Sequence, residues 1–392
     1  MNWTLGRKCL GLKSTLDSGC SKRAGEKVLN ASISAGSKYN HLKRRGLQAD
    51  HPVMASPRDL CQPLRLMTLR TSDFDYPLPE ALIASHPPER REDARMLVVH
   101  RAEGRWEHRR IADLPEYIRP GDLAVFNDTR VIPARVYSDD GRLELLLLEA
   151  EGPATWRCLV KPGRKLRVGA EFKAGGVTGI VQKVFPDGDR LIAFDAPLDL
   201  QRVGELPLPP YMGRTAELAD RERYQTIYAR EEGSVAAPTA GLHFTPELMA
   251  SLPHAFVTLH VGTGTFRSVL TETLENHPMH SERYDLPEVT ALKINAAQRV
   301  LAIGTTTARV LESCALHGVP LKGASGRTDL FIKPPHTFRC VGALLTNFHL
   351  PKSTLLVLVS AFAGRELTLA AYAEAVRGSY RFYSYGDCML VI

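Results

Sequence analysis

No run of 18 or more apolar residues occurs in the 392-residue chain, so nothing in it has the length of a membrane-spanning helix and a soluble protein is expected. Cysteine is scarce and has no pattern. The seven residues at 10, 20, 61, 158, 314, 340 and 388 form no CxxC pair, which argues against a disulfide framework or a thiolate zinc site and for reduced thiols in the cytoplasm. Several signatures of chemistry are also missing. There is no GxxxxGK[ST], no GxSxG and no HExxH, which removes the phosphate-binding loop, the hydrolase elbow and the zinc protease. "GTGTF" has two glycines of a dinucleotide fingerprint but lacks the third, and "HPMH" puts Pro278 between His277 and His280 with no third ligand nearby, so no metal is expected.

Acidic residues are few in the head of the chain. Residues 1–70 hold 13 Lys/Arg against 4 Asp/Glu, whereas residues 71–392 hold 37 against 39, so the formal charge of +7 belongs to the head. Any RNA binding by the remainder must use a local patch. Residues 1–68 show no sustained period and are rich in Ser, Gly, Lys and Arg. They read as a disordered basic extension, either a transit-peptide-like leader or an upstream segment preceding a true start at Met54 or Met67.

From Thr71 the texture becomes that of a folded domain. Apolar strands at 96–100 and 123–126, then "AFVTLHVG", "VLAIGTTTARVLESCAL" and "GALLTNFHLPKSTLLVLVSAFAG", alternate with helices. Residues 134–205 differ, with short alternating runs separated by Asp-Gly and Gly-Gly turns, which read as a small antiparallel β-barrel. The expected fold class is therefore α/β: a mixed-sheet main domain over 69–133 and 206–392, with the barrel inserted at 134–205.

Polar clusters fall at the carboxyl ends of these strands, where open α/β sheets bind ligands. "FNDTR" contributes Asn127, Asp128 and Arg130; "LHVGTGTFR" contributes His260, Gly262, Thr263 and Thr265; "IGTTTAR" contributes Thr305, Thr306 and Arg309; "TNFHLPK" contributes Thr346, Asn347, His349 and Lys352. Thr305–Thr307 lie where a helix N-terminus would offer free N–H groups to an anion. In "AAPTAGLHFT", a Pro and a Gly three residues apart hold Thr239, Gly241 and His243 in an irregular loop; the plainer reading makes His243 a core residue of a tight turn. An anionic or zwitterionic ligand suits the whole set.

The strings "SDFDYPLP", "GDLAVFNDTRVIPAR", "LPLPPYM", "ERYQTIYA", "VAAPTAGLHFTPEL", "VTLHVGTGTF", "MHSERYDLP", "ALLTNFHLPKSTLLVLVSAFAG" and "YRFYSYGDCML" occur in order from Ser72 to the C-terminus. Together they resemble the S-adenosylmethionine:tRNA ribosyltransferase-isomerase family of queuosine biosynthesis. The resemblance implies transfer and rearrangement of the ribosyl unit of S-adenosylmethionine onto 7-aminomethyl-7-deazaguanine at the tRNA wobble position. The products are epoxyqueuosine-tRNA, adenine and methionine; S-adenosylmethionine is consumed as substrate, no resident cofactor is implied, and a cytoplasmic monomer is expected.

That chemistry needs a base for the C5′ proton beside the sulfonium, with His243 or His260 the candidates. It needs a donor to departing adenine, from His349, Asp387 or Asp128, and a means of freeing the substrate amine from its proton, such as a neighbouring Arg309. Lys161, Arg164, Lys165 and Lys352, with Arg90 and Arg91, sit in contexts suited to tRNA phosphates. Departures from the family pattern are local: "GTTTAR" has an Ala where a Val is usual, and "FIKPPHTFRCVG" rebuilds a loop and puts Gly342 where an Asp is common. Two other readings remain at this point, group transfer on a free nucleoside and a non-catalytic RNA-binding protein.

Overall fold

Asp122–Asn127 reads DLAVFN, and every one of its side chains is buried, which a strand tolerates only with a layer on each face. It forms the middle of a nine-stranded sheet in the computed structural model, which describes residues 69–262, 264 and 269–392. The expected disorder of residues 1–68 and the candidates Thr263 and Thr265 lie outside the described residues, as does the side chain of Lys165. In chain order the strands are β1 (Arg95–His100), β2 (Arg105–Arg110), β3 (Asp122–Asn127), β4 (Thr129–Val131), β5 (Arg135–Tyr137), β6 (Glu144–Gly152), β7 (Thr155–Lys161), β8 (Glu171–Ala174) and β9 (Val177–Val184). They continue with β10 (Arg190–Phe194), β11 (Gly204–Glu205), β12 (Glu231–Ser234), β13 (His254–Leu259), β14 (Glu282–Leu286), β15 (Arg299–Ile303), β16 (Ala324–Thr328), β17 (Val341–Asn347) and β18 (Cys388–Val391). The helices are α1 (Leu200–Val203), α2 (Asp220–Arg223), α3 (Pro246–Ala250), α4 (Glu288–Ala296), α5 (Thr305–Leu316), α6 (Thr354–Ala363) and α7 (Arg365–Arg377).

The large sheet runs β16-β14-β13-β3-β15-β17-β18-β1-β2. Its centre, β13-β3-β15-β17, is parallel, so four carboxyl ends stand side by side. Period-two alternation sorts β3 between two cores. Leu123 and Val125 face α4–α7, whereas Ala124 and Phe126 face α3 and the irregular segments near Phe244. Phe126 packs edge-on against Phe244 and Tyr228 with ring centroids 4.9 and 5.0 Å apart. As read from sequence, the Ser353 side chain caps α6 by accepting from the Leu356 N–H, and Gly364, at φ 89, ends it; the same glycine starts α7 after a 115° bend. No single helix among the described residues is long and apolar enough to cross a membrane.

The loop around Pro335 is held from α5. The Glu312 carboxylate accepts N–H bonds from Arg339, Cys340 and Val341 at 2.9, 3.0 and 2.9 Å. At Gly342 a side chain would meet Arg299, whose guanidinium pairs instead with Asp122.

The second sheet is antiparallel with order β11-β5-β6-β7-β10-β9-β8 around its own apolar core. The closed barrel expected from the turn spacing is here an open, curled half-barrel. Its edge strands β11 and β8 do not pair; the gap is spanned by the Asp139 N–H on the Lys173 carbonyl at 2.8 Å and by Arg202 on the Gly175 carbonyl at 2.6 Å. The helical turn α1, ending at Gly204, sits at that edge, and a Cβ on Gly204 would lie 2.0 Å from the Pro133 carbonyl oxygen and 2.6 Å from that of Leu200. Both obstacles are backbone, so Gly204→Ala is expected to lower stability by about 3 kcal/mol, read as a fall in the urea midpoint. An unchanged midpoint would contradict this packing.

Candidate active site

The carboxyl ends of β3 and β13 and the start of α5 meet at one amide. Asn127, fully buried, donates through Nδ2 to the Leu259 carbonyl at 3.0 Å and to Thr306 Oγ1 at 3.3 Å. Its Oδ1 accepts from the N–H groups of Leu259 at 3.0 Å and Thr129 at 3.2 Å. Its donors and acceptor are thus spent on holding neighbours in place.

On one side of Asn127 lies a narrow cavity, partly open to solvent. It gathers six of the sequence candidates: Thr239, Thr305, Thr306, Thr346, Asn347 and His349. Gly304, at φ 93, turns the chain from β15 into α5 and leaves the first N–H groups of that helix at the cavity. The His349 ring shares a 2.8 Å hydrogen bond between Nε2 and Thr346 Oγ1, and burial pushes its pKa down to about 3. Asn347 is oriented by donation from Nδ2 to the carbonyls of Tyr383 at 2.9 Å and Ser384 at 3.4 Å, which leaves its buried Oδ1 without a partner. Tyr211, Tyr383 and Ser384 complete the wall and were missed as candidates, although the strings "LPLPPYM" and "YRFYSYGDCML" contain them. Tyr383 adopts φ 74, a left-handed conformation rare for a bulky residue, of the kind that clusters at ligand sites.

A second, larger cavity of about 460 Å³, also partly open, lies between the carboxyl edge and the half-barrel. It is charged where the first is neutral, with Arg157, Arg283, Arg327, Glu149 and Glu232 beside Trp156. His260 faces it. The imidazole lies against Gly233, where a Cβ would sit 3.1 Å from the ring, and Nδ1 is 2.9 Å from Thr129 Oγ1. Burial, then the nearby Arg283, lowers its pKa. Gly262 also borders this cavity, with its N–H on Glu282 Oε1 at 2.8 Å.

The remaining candidates have structural work. His243 lies in the 3-10 turn Thr239–His243, buried behind the first cavity, which agrees with the plainer reading of that loop. Desolvation takes its pKa to about 4 against the opposing pull of Asp387 and Asn347, though no well-formed hydrogen bond joins its Nε2 to Asn347. Gly241 is a close-packing glycine, because a Cβ there would lie 2.0 Å from the Tyr228 hydroxyl. Asp128, whose pKa burial raises, accepts from Thr258 at 2.7 Å and Arg230 at 2.5 Å. Asp387 accepts from the N–H groups of Arg95 at 3.0 Å and Arg381 at 2.8 Å. With those bonds made, neither carboxylate reaches the cavities, so the expectation that either donates to adenine does not fit this placement.

Arg309, expected beside the substrate amine, is buried in an ion pair with Glu282 and donates to the Leu330 carbonyl at 3.2 Å. Arg91 is likewise committed, to the carbonyls of Leu242, Glu222 and Gln225. Arg90 pairs with Glu92, exposed Arg130 lies 3.8 Å from Glu232, and Lys352 pairs with Asp75 at 2.7 Å. Lys161 and Arg164 are exposed at the end of β7 and just beyond.

The family model described as "Queuosine biosynthesis protein" matches residues 71–391. The chain belongs to that family. A Moorella thermoacetica protein named S-adenosylmethionine:tRNA ribosyltransferase-isomerase is 49% identical over 344 residues, covering 83% of this chain and all of that protein. A Gloeobacter violaceus protein of the same name is 49% identical, covering 82% of this chain and 96% of its own. The solved S-adenosylmethionine tRNA ribosyltransferase of Thermotoga maritima is 38% identical, covers 82% of this chain and all of its own, and superposes with a TM-score of 0.48. Among the described residues no three His, Cys, Asp or Glu side chains cluster as metal ligands would.

In this queuosine-family chain the buried imidazoles have a pH signature. Unfolded histidine titrates near 6.5, but folded His243 and His349 take up protons only near 4 and 3. Below about pH 6.5 the unfolded state therefore binds more protons and stability falls, by roughly 1 kcal/mol per pH unit for each histidine, until the folded values are reached. Thermal melting of His349→Gln between pH 6.5 and 4 is expected to show a shallower loss of Tm than wild type. An identical slope would contradict a neutral, desolvated His349.

Proposed function

We propose that the chain is an S-adenosylmethionine:tRNA ribosyltransferase-isomerase that makes epoxyqueuosine in tRNA. It moves the ribosyl unit of S-adenosylmethionine onto 7-aminomethyl-7-deazaguanine at the wobble position, rearranges that unit to an epoxycyclopentanediol, and releases adenine and methionine. The observation that carries the reading is the 49% identity, spanning the whole of a relative that bears this name. S-adenosylmethionine is then spent as a substrate, which suits a chain without a dinucleotide or methyltransferase fingerprint.

The neutral cavity suits this donor. Its methionine carboxylate fits the N-terminus of α5 at Thr305 and Thr306, where N–H groups and dipole favour an anion. With a pKa near 3, His349 is neutral at pH 7. Forming its imidazolium there, whether to give a proton or after taking one, would cost roughly 5 kcal/mol, so we assign it a neutral hydrogen bond to the departing adenine rather than a proton transfer. Hydrogen bonds from the threonine hydroxyls then support the departing base. Exposed Lys161 and Arg164 are suited to phosphates of the anticodon arm, a contact that positions the RNA without reading its sequence.

The test is incubation with S-adenosylmethionine and tRNA bearing 7-aminomethyl-7-deazaguanine, with mass analysis of the digested tRNA. Wild-type protein should release one adenine per epoxyqueuosine formed, and His349→Ala, which removes one hydrogen bond, should lose about 10- to 100-fold in kcat. A folded wild-type protein that yields neither product would overturn the reading; full activity of His349→Ala would remove His349 from it.

A further inference from the structure

The charged cavity between the two sheets has a base of its own, set up by a residue outside the candidate set. The Thr129 hydroxyl has one proton and stands between the Glu231 carbonyl, at 3.4 Å, and Nδ1 of His260, at 2.9 Å. Given to the carbonyl, that proton leaves the oxygen to accept from Nδ1–H, and the neutral imidazole then bears its lone pair on Nε2. Thr129 cannot turn away freely: it is fully buried, its N–H is held by Asn127, and β4 pairs with β12 beside it. The ring is fixed too, with its backbone N–H on the Arg283 carbonyl at 3.0 Å and its flat face against Gly233.

We propose that Thr129 is the positioning residue that locks His260 in the Nδ1–H tautomer, so that Nε2 takes the proton from the substrate's aminomethyl group as that group enters the charged cavity. This rests on the function proposed above and adds to it a step that Arg309, locked to Glu282, cannot perform. The N–H bond of the ammonium breaks, its electron pair stays on the amine nitrogen as the nucleophile, and the proton becomes Nε2–H of an imidazolium. The cavity suits the substrate that brings the amine. It is the larger of the two, Trp156 offers a face for stacking an unpaired base, and the Glu232 carboxylate on the same wall can receive the cation before transfer. Of the charged groups around the ring, Arg283 favours the neutral imidazole, while Glu231 and Glu149 ease formation of the imidazolium; Arg327 and Glu232 line the same cavity.

Two readouts test this. In ¹⁵N-histidine-labelled wild-type protein at pH 8, the His260 signals should report Nδ1 protonated and Nε2 bare, a result that needs no substrate and stands apart from the fate of the proposed function. In single-turnover assays Thr129→Val should lower the rate about 10- to 100-fold at unchanged KM for S-adenosylmethionine, and Thr129→Ser, which keeps the hydroxyl, should recover most of it. The wild-type rate should fall as pH drops through the His260 pKa, where the acceptor fills. An Nε2–H tautomer in wild type would overturn the proposal, as would a folded Thr129→Val protein turning over at the wild-type rate.

Discussion

The buried amide of Asn127 is the joint on which both cavities depend. A strand end leaves carbonyl and N–H groups without ladder partners, and burying them unpaired costs on the order of 1–3 kcal/mol each. One Asn side chain meets four such needs at once: both backbone groups of Leu259, the N–H of Thr129 and the hydroxyl of Thr306. Thr306 then borders the neutral cavity, while Leu259 and Thr129 fix the two ends of the contact at His260. An Asp of the same shape would bring a charge and lose the two donors, so the position demands an amide.

The two cavities divide the chemistry by polarity. Among the described residues no charged side chain lines the wall of the neutral one, so the helix dipole of α5 and the oriented hydroxyls act in a poorly screened setting. In the other, cations and carboxylates face each other across the gap between the sheets, as befits a polyanionic partner that brings its own cation. Helix α5 serves both by what it anchors. Its Arg309 holds Glu282, which in turn holds the Gly262 N–H, and its Glu312 holds the loop before β17. A buried pair of this kind does little for net stability but is costly to break from one side, about 3–5 kcal/mol, which suits a brace better than a reagent.

Much of the architecture was legible because it obeys short rules. The strand buried along its whole length in "DLAVFN", the cap at Ser353 and the stop at Gly364 all appear where the residues place them. The half-barrel was misjudged as closed because local turn chemistry fixes strand number but not closure, which here depends on where α1 and Asp139 lie across the gap. At the site, five polar residues from strand ends, with Thr239 from its irregular loop, line one cavity, since a strand end fixes where a side chain starts. What sequence could not show was which groups are already spent. Asp128, Asp387 and Arg309 are as reactive by residue type as His349, and only their partners, from 95 to 381 in the chain, reveal them as braces. Tyr211 and Ser384, 173 positions apart and hydrogen-bonded to each other, reach the cavity from loops with no local signal of chemistry.

The central claim is that S-adenosylmethionine occupies the neutral cavity at the carboxyl edge. Amide hydrogen exchange with and without saturating S-adenosylmethionine tests it most directly. The account predicts slowed exchange at Thr305–Thr307 and across Asn347–Leu350, with little change in β7 and β16 on the far wall of the charged cavity. Protection of β7 and β16 without any at the start of α5 would contradict it.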